Sequence, residues 1–171
     1  MTANLVSVTL LLSTLSTPIG NLNLIADEHI LLAANLSNLK ALKESLSQED
    51  SERHVKNVSR IPIITDLISD YFEGDIAALN AISVRQPGAH FSQEAWKAMK
   101  KVKAGKVISY GELAERAGSP AAVRAAGSAC AKNAIVLIVP CHRIVKTGGA
   151  LGNYAYGLDK KAWLLRHEGA L

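Results

Sequence analysis

Apolar and polar positions alternate over the opening third of the chain. Val6, Val8 and Leu10 are separated by polar neighbours, and that period of two predicts a half-buried strand running to Ser16. A turn at Pro18-Ile19-Gly20 leads into a second strand over 22–26, and the polar break Asp27-Glu28-His29 leads into a third over 30–34. The three read as an antiparallel meander. The period then lengthens, predicting a helix over about 39–46, a charged loop over 48–56 and a helix over about 63–72 that ends at Gly74. Residues 85–90, with Pro87 and Gly88, read as a linker, so the spacing predicts domains over 1–85 and 86–171.

The second half is helical in pattern. Phe91 precedes an expected N-cap at Ser92, and Ala95, Trp96, Met99 and Val102 form an apolar stripe opposite Lys97, Lys100, Lys101 and Lys103. Residues 107–110 read as extended and 111–117 as a short helix. After Gly118, Ser119 and Pro120 supply an N-cap and a first helical residue for a helix reaching about Lys132. Two short helices across a glycine turn are a candidate helix-turn-helix. A last helix is expected over 159–167. The chain shows no internal repeat and no low-complexity stretch.

With 171 residues, 49% of them hydrophobic, the chain is large enough to bury a core. The leucine-rich start has no Lys or Arg before its apolar part and no apolar run of membrane-spanning length, so no targeting or transmembrane segment is expected. Cys130 and Cys141 are the two cysteines; without a secretory context they predict a reducing, cytoplasmic location. The net charge of +4 is unevenly placed. Residues 1–87 carry 6 Lys or Arg against 10 Asp or Glu, whereas residues 88–171 carry 13 against 5. That asymmetry fits a polyanion-binding second half, and it fits a solvated basic helix face as well.

Eight of the thirteen residues over 120–132 are Ala, Gly or Ser, with Arg124 as the long side chain in the middle. Such a helix has little with which to read base edges in a major groove. A smooth surface instead lets backbone approach a shallow groove, with one arginine free to fill the stack left by a displaced base. The alternative is an ordinary helix buried by its alanines. The segment Ile138-Val139-Pro140-Cys141-His142-Arg143-Ile144-Val145 sets a thiol and an imidazole between apolar runs. A thiol near neutral pH needs a base or a positive field to react. Neighbours in an extended segment face apart, so a water is the simplest relay from Cys141 to His142. Glu168, at the end of the last helix, is a candidate partner for the second ring nitrogen. Taken alone, such a cysteine is more often structural than catalytic. No metal site is expected, because Cys141, His142 and His167 lack paired ligand spacing.

The order Val107-Ile108-Ser109-Tyr110-Gly111-Glu112-Leu113-Ala114, Arg124-Ala125-Ala126-Gly127, Asn133, Pro140-Cys141-His142-Arg143, Gly152-Asn153-Tyr154 and Trp163-Leu164-Leu165 through His167-Glu168-Gly169 closely resembles the O6-alkylguanine-DNA alkyltransferases. The resemblance is dense over 91–169 and looser before it. It implies an α+β protein, with a ribonuclease-H-like antiparallel sheet first and a winged-helix-like domain second. It implies double-stranded DNA bearing an alkylated guanine as partner, no cofactor, and a monomer that is nucleoid-associated when bound, with cooperativity on DNA left open. Cys141 would take the alkyl group from O6, and less readily from O4 of thymine, in a single irreversible turnover. His142 and Glu168 would draw off the proton, Tyr110 would assist departure of guanine and rotate the nucleotide, and Asn133 would brace the turn carrying the cysteine. Arg124, with Tyr110, Ala122, Ala125 and Gly127, would meet the DNA from its minor groove. Cys130, Leu151, Asn153, Tyr154, Ala155 and Tyr156 would form the base pocket, with the ring of Tyr156 narrowing it. Ala134 stands where the family commonly has proline. The rivals are a lesion sensor that does not repair, which would lack Cys141, a winged-helix regulator, which needs a base-reading helix, and a cysteine hydrolase, for which no oxyanion device is evident.

Overall fold

The computed structural model describes residues 9–171; Val6 and Val8 lie outside the described residues. The protein is α+β, and the chain divides into two compact units, up to Pro87 and from Gly88.

In the first unit, β1 (Leu10–Thr17), β2 (Gly20–Asp27) and β3 (Ile30–Asn35) form the antiparallel meander that the alternation predicts. Every residue from Leu22 to Ala26 is buried, so β2 is covered on both faces. Helix α1 (Leu39–Glu44) is shorter than its pattern suggested; Asn38 caps it and Leu42 packs on Leu10, Leu12, Ile25 and Leu32. The sheet is mixed rather than purely antiparallel. Strands β4 (Val55–Asn57) and β5 (Ser83–Val84) add parallel edges in the order β4-β1-β2-β3-β5. With three and two residues and one mostly exposed edge, neither carries a readable alternation. The stretch expected as a charged loop also holds a one-turn helix α2 (Gln48–Ser51), capped by Ser47. Arg53 and Arg85 each bridge Asp27 and Asp50, tying that stretch to the end of β2. Helix α3 (Ile64–Phe72) buries Ile64, Ile68 and Tyr71.

In the second unit, α4 (His90–Lys100) begins two residues before the expected cap. Ala89 occupies the N-cap position and Ser92 sits inside the first turn. The chain enters the helix early where Gly88 passes the Trp96 ring, since a Cβ there would lie 2.5 Å from it. The stripe is as predicted, with Ala95, Trp96, Met99 and Val102 buried. Strand β6 (Ile108–Ser109) pairs in parallel with β7 (Ile144–Val145). Helix α5 (Tyr110–Arg116) opens on a capping box in which Ser109 and Glu112 each accept the other's backbone N–H. Helix α6 (Val123–Lys132) starts later than Pro120. The backbone N–H of Ser119 closes α5 onto Ala114, and its carbonyl takes the N–H of Ala122. With Ala122 at ψ 46°, the helical ladder begins only after it. Residues Cys141–Arg143 form one 3-10 turn, and α7 (Leu158–His167) ends the chain. Among the described residues, no helix is long and apolar enough to cross a membrane.

Ile63, just before α3, is a strained position. Its φ is 72°, it is 59% exposed, and the N–H of Ile64 bonds back to the carbonyl of Pro62 at 2.8 Å. A β-branched residue there holds a tight turn that glycine adopts freely, and little burial is lost by removing it. Ile63→Gly is expected to stabilise the protein by about 1 kcal/mol, read as a higher denaturation midpoint. A lower midpoint would show that the turn carries no strain.

Candidate active site

Three elements meet at a buried carboxylate. Helix α7 terminates at Glu168, where Gly169 adopts φ 82° and the N–H groups of Gly169 and Ala170 return to the carbonyls of Arg166 and Leu165. Only glycine takes that left-handed position without cost, so the helix ends where Glu168 points inward. Its Oε2 lies 2.8 Å from Nε2 of His142, and Arg143 donates through Nε to Oε1 and through Nη2 to Oε2, both at 2.9 Å. The remaining Nη1 of Arg143 donates to the carbonyl of Val102 at 2.7 Å, beyond the C-terminus of α4. All three side chains are almost fully buried.

Burial pushes the Glu168 carboxyl up, but the hydrogen bonds from His142 and Arg143 and the charge of Arg143 outweigh it and hold it far below the usual carboxylate range. An ionised carboxylate only accepts, so Nε2 of His142 carries the hydrogen and Nδ1 keeps its lone pair. Nδ1 is buried with no hydrogen-bond partner among the described residues. Burial pulls His142 below its ordinary value, Glu168 opposes that, and the positive charges of Arg143 and Lys161 add to it. The imidazole is therefore neutral and ready to accept a proton.

Cys141 does not sit in an extended segment. The chain from Asn133 to the cysteine is a series of tight turns, with Leu137 buried at φ 76° and the N–H of Cys141 bonded to the carbonyl of Val139 at 2.9 Å. The Asn133 side chain braces them. Its Oδ1 accepts from the N–H of Ile135 at 3.1 Å, and its Nδ2 donates to the carbonyl of Val139 at 2.8 Å and approaches Sγ of Cys141 at 3.6 Å. Burial raises the Cys141 thiol above its ordinary value, while Asn133 and Lys161 favour the thiolate.

Cys141 opens on a cleft of about 700 Å³. One wall is α6, through Val123, Arg124, Gly127, Ser128, Cys130 and Ala131; Tyr110 and the loop residues Asn153, Tyr154 and Ala155 complete it. Cys130 is held as a thiol, pushed up to about 12 by burial and by the charge of Cys141. Burial also raises Tyr110. Helix α6 resolves the two readings of its alanines. Ala126 and Ala129 are buried, the latter's carbonyl taking the Trp96 indole N–H at 2.9 Å, whereas Arg124, Ala125 and Ser128 face solvent. Gly152 passes so close to Tyr110 that a Cβ would lie 3.0 Å from its hydroxyl, and it does so at φ 77°. Among the described residues, no group of three or more His, Cys, Asp or Glu could hold a metal ion.

The cleft brings together Tyr110, Arg124, Gly127, Cys130, Cys141, Asn153, Tyr154 and Ala155. Ala122 and Ala125 do not line it, nor do Leu151 and Tyr156, which were placed in the pocket. The Tyr156 ring meets the edge of Tyr154, centroids 5.9 Å apart, and so touches a residue that lines the cleft. Arg143 and Lys161 had no assigned role in the sequence reading. Each carries a faint signal: Arg143 lies between apolar runs, where a cation needs a partner, and Lys161 shares a helix face with Leu164 and Leu165.

The carboxylate's low pKa and the histidine's depressed one have the same sign. The unfolded chain binds a proton at His142 below about 6.5 and at Glu168 below about 4.5, while the folded chain resists both, so stability falls as pH drops through that window. In Glu168→Gln, Arg143 is left buried without its counter-ion. A loss of about 3–5 kcal/mol at pH 7 is expected, with a flatter decline below about pH 4.5, where the unfolded carboxyl takes up its proton. Trp96 and Trp163 both lie beyond Gly88, so tryptophan fluorescence during urea unfolding reads this unit. An unchanged slope would remove Glu168 from the pH dependence.

Residues 90–170 match the family model described as the DNA binding domain of 6-O-methylguanine DNA methyltransferase. A methylated-DNA–protein-cysteine methyltransferase from Salmonella typhimurium is 42% identical over 108 residues, a match spanning 63% of each chain. For the protein of that name from Shigella flexneri, 35% identity runs over 163 residues, 92% of this chain and 94% of the other. Among solved structures, Mycobacterium tuberculosis OGT in complex with DNA is similar at a TM-score of 0.76 and 30% identity, with 94% of this chain and 93% of that one covered. With identity sustained over nearly its whole length, Cys141 on the cleft and His142 hydrogen-bonded to Glu168, the chain belongs to the methylated-DNA–protein-cysteine methyltransferase family.

Proposed function

We propose that this protein repairs alkylated DNA by moving the alkyl group from O6 of a guanine, flipped out through the minor groove, onto Sγ of Cys141. The observation that carries the reading is a partly exposed cysteine opening on a base-sized cleft, followed in the chain by a His142 whose imidazole is hydrogen-bonded to Glu168. In the reaction, the thiol proton passes through a water to Nδ1 of His142, and the imidazolium is held by Glu168, which stays ionised beside Arg143. The thiolate attacks the alkyl carbon, a C–S bond forms, and the C–O pair remains on guanine. Tyr110, lining the cleft, donates to the departing base. A thioether is a poor leaving group, and Cys130, the second thiol of the cleft, is held protonated and so cannot remove the alkyl group; each molecule acts once.

Double-stranded DNA fits the rest of the second unit. The small residues on the exposed side of α6 permit close approach to a shallow groove, and Arg124 at the cleft stands where it can fill the vacated stack. Ala122 and Ala125 contribute as part of that smooth surface rather than of the pocket. A relative with a solved structure in complex with DNA supports the same partner. In the finer description the first unit carries a ribonuclease-H-like sheet and the second a winged-helix-like arrangement around α5 and α6. The protein acts as a monomer where the chromosome is, in the cytoplasm, and uses no cofactor.

Mixing the protein with a duplex bearing one O6-methylguanine, followed by peptide mass spectrometry, tests the reading. One methyl per chain is expected on the peptide containing Cys141, with guanine restored in the DNA, and none in Cys141→Ser. Restoration of guanine by the serine variant, or more than one turnover per chain, would overturn it.

A further inference from the structure

Lys161 is fully buried on α7, and among the described residues it has no salt-bridge partner. Its Nζ donates to the carbonyl of Ile144 at 2.6 Å and to that of Asn153 at 3.0 Å, and lies 6.0 Å from the centroid of the Tyr110 ring. Two neutral carbonyls orient an ammonium without cancelling its charge, and a buried charge lacking a counter-ion is costly unless something on its surroundings becomes negative. The groups within its field are Tyr110 on α5, Cys130 on α6, and Cys141 and His142 on the 3-10 turn. Of these, Glu168 already neutralises the charge that His142 acquires, Cys130 stays a thiol, and Tyr110 stays a phenol. Cys141 is what remains.

We propose that Lys161 is a positioning residue whose ammonium serves as the fixed counter-charge of the Cys141 thiolate, held in place by the carbonyls of Ile144 and Asn153. The same contacts tie the end of β7 to the loop that carries Asn153 and Tyr154, so the charge and the cleft wall are set by one side chain. Burial pulls Lys161 below its ordinary value, while the two thiols pull it back as they ionise. Acceptance by two carbonyls favours the protonated form as well. The proposal deepens the transfer reading, since the thiolate is the nucleophile of that reaction, but the ionisation can be measured without DNA.

The test is the rate at which iodoacetamide labels Cys141 as a function of pH, read on the Cys141 peptide by mass spectrometry in the full chain. Lys161→Gln keeps a hydrogen-bond donor and loses the charge, Lys161→Met loses both, and Lys161→Arg keeps the charge. The labelling midpoint is expected to rise by about one pH unit in Gln and Met, with about tenfold slower labelling at neutral pH, and to stay near wild type in Arg. A wild-type midpoint in the Gln variant would overturn the proposal and leave Lys161 as an anchor only. Should both neutral variants fail to fold, the Arg variant decides: a midpoint at or below wild type supports the counter-charge, and a clearly higher one overturns it. Methyl transfer from DNA is followed on the same proteins. A wild-type protein that takes up no methyl would sink the transfer reading while the thiol midpoints still judged Lys161.

Discussion

The carboxylate of Glu168 is the point on which the second unit turns. It is ionised, buried, and shared between the imidazole of His142 and the guanidinium of Arg143. A buried ion pair is weak evidence for stability, because a well-packed apolar replacement is often as stable. Its value lies in what it specifies. Through Arg143 and Val102 it joins the ends of α7 and α4 to the turn bearing the nucleophile, and through His142 it decides which ring nitrogen holds the hydrogen. A carbonyl in its place would orient the ring but could not balance the imidazolium that the proposed transfer of the thiol proton forms.

Around that centre, charges are arranged so that in the proposed transfer one pair, Cys141 and His142, changes state. Cys130, its thiol pushed up to about 12, and Tyr110 are kept neutral, and His142 is kept neutral until it is needed. Asn133 and Lys161 both favour the thiolate of Cys141 against the burial that opposes it. The backbone follows the same economy. The turns after Asn133 replace an extended strand, and they present Sγ to the cleft while His142 turns inward to Glu168. The first unit, with its mixed sheet and net acidic charge, shares none of this chemistry.

Much of this was legible in the sequence where the signal is periodic. The meander, the buried stripe of α4 and the short helices around Gly118 follow from alternation and from glycine placement. Strands β4 and β5 were not legible, because two or three residues at a sheet edge are specified by their partner strand rather than by their own pattern. The start of α6 was misread at Pro120 because Ser119, which looks like a cap, is committed to ending α5. In the site, the motif order singled out Cys141, His142, Glu168 and Asn133, which the structure links as the pairs Asn133–Cys141 and His142–Glu168, but it could not show that Arg143 shares the carboxylate. A fully buried lysine such as Lys161 resembles its half-buried neighbour Lys160 until the helix phase is known. Tyr156 was misplaced because adjacency along a loop does not say which ring faces the cleft and which supports it.

The tautomer of His142 is the most direct readout of the Glu168 interaction. Nitrogen-15 chemical shifts of its imidazole in the unalkylated protein should show a neutral ring with hydrogen on Nε2 and a bare Nδ1 from about pH 8 down to about pH 7. A ring protonated on both nitrogens in that range, or one carrying its hydrogen on Nδ1, would contradict the arrangement from which the chemistry was built.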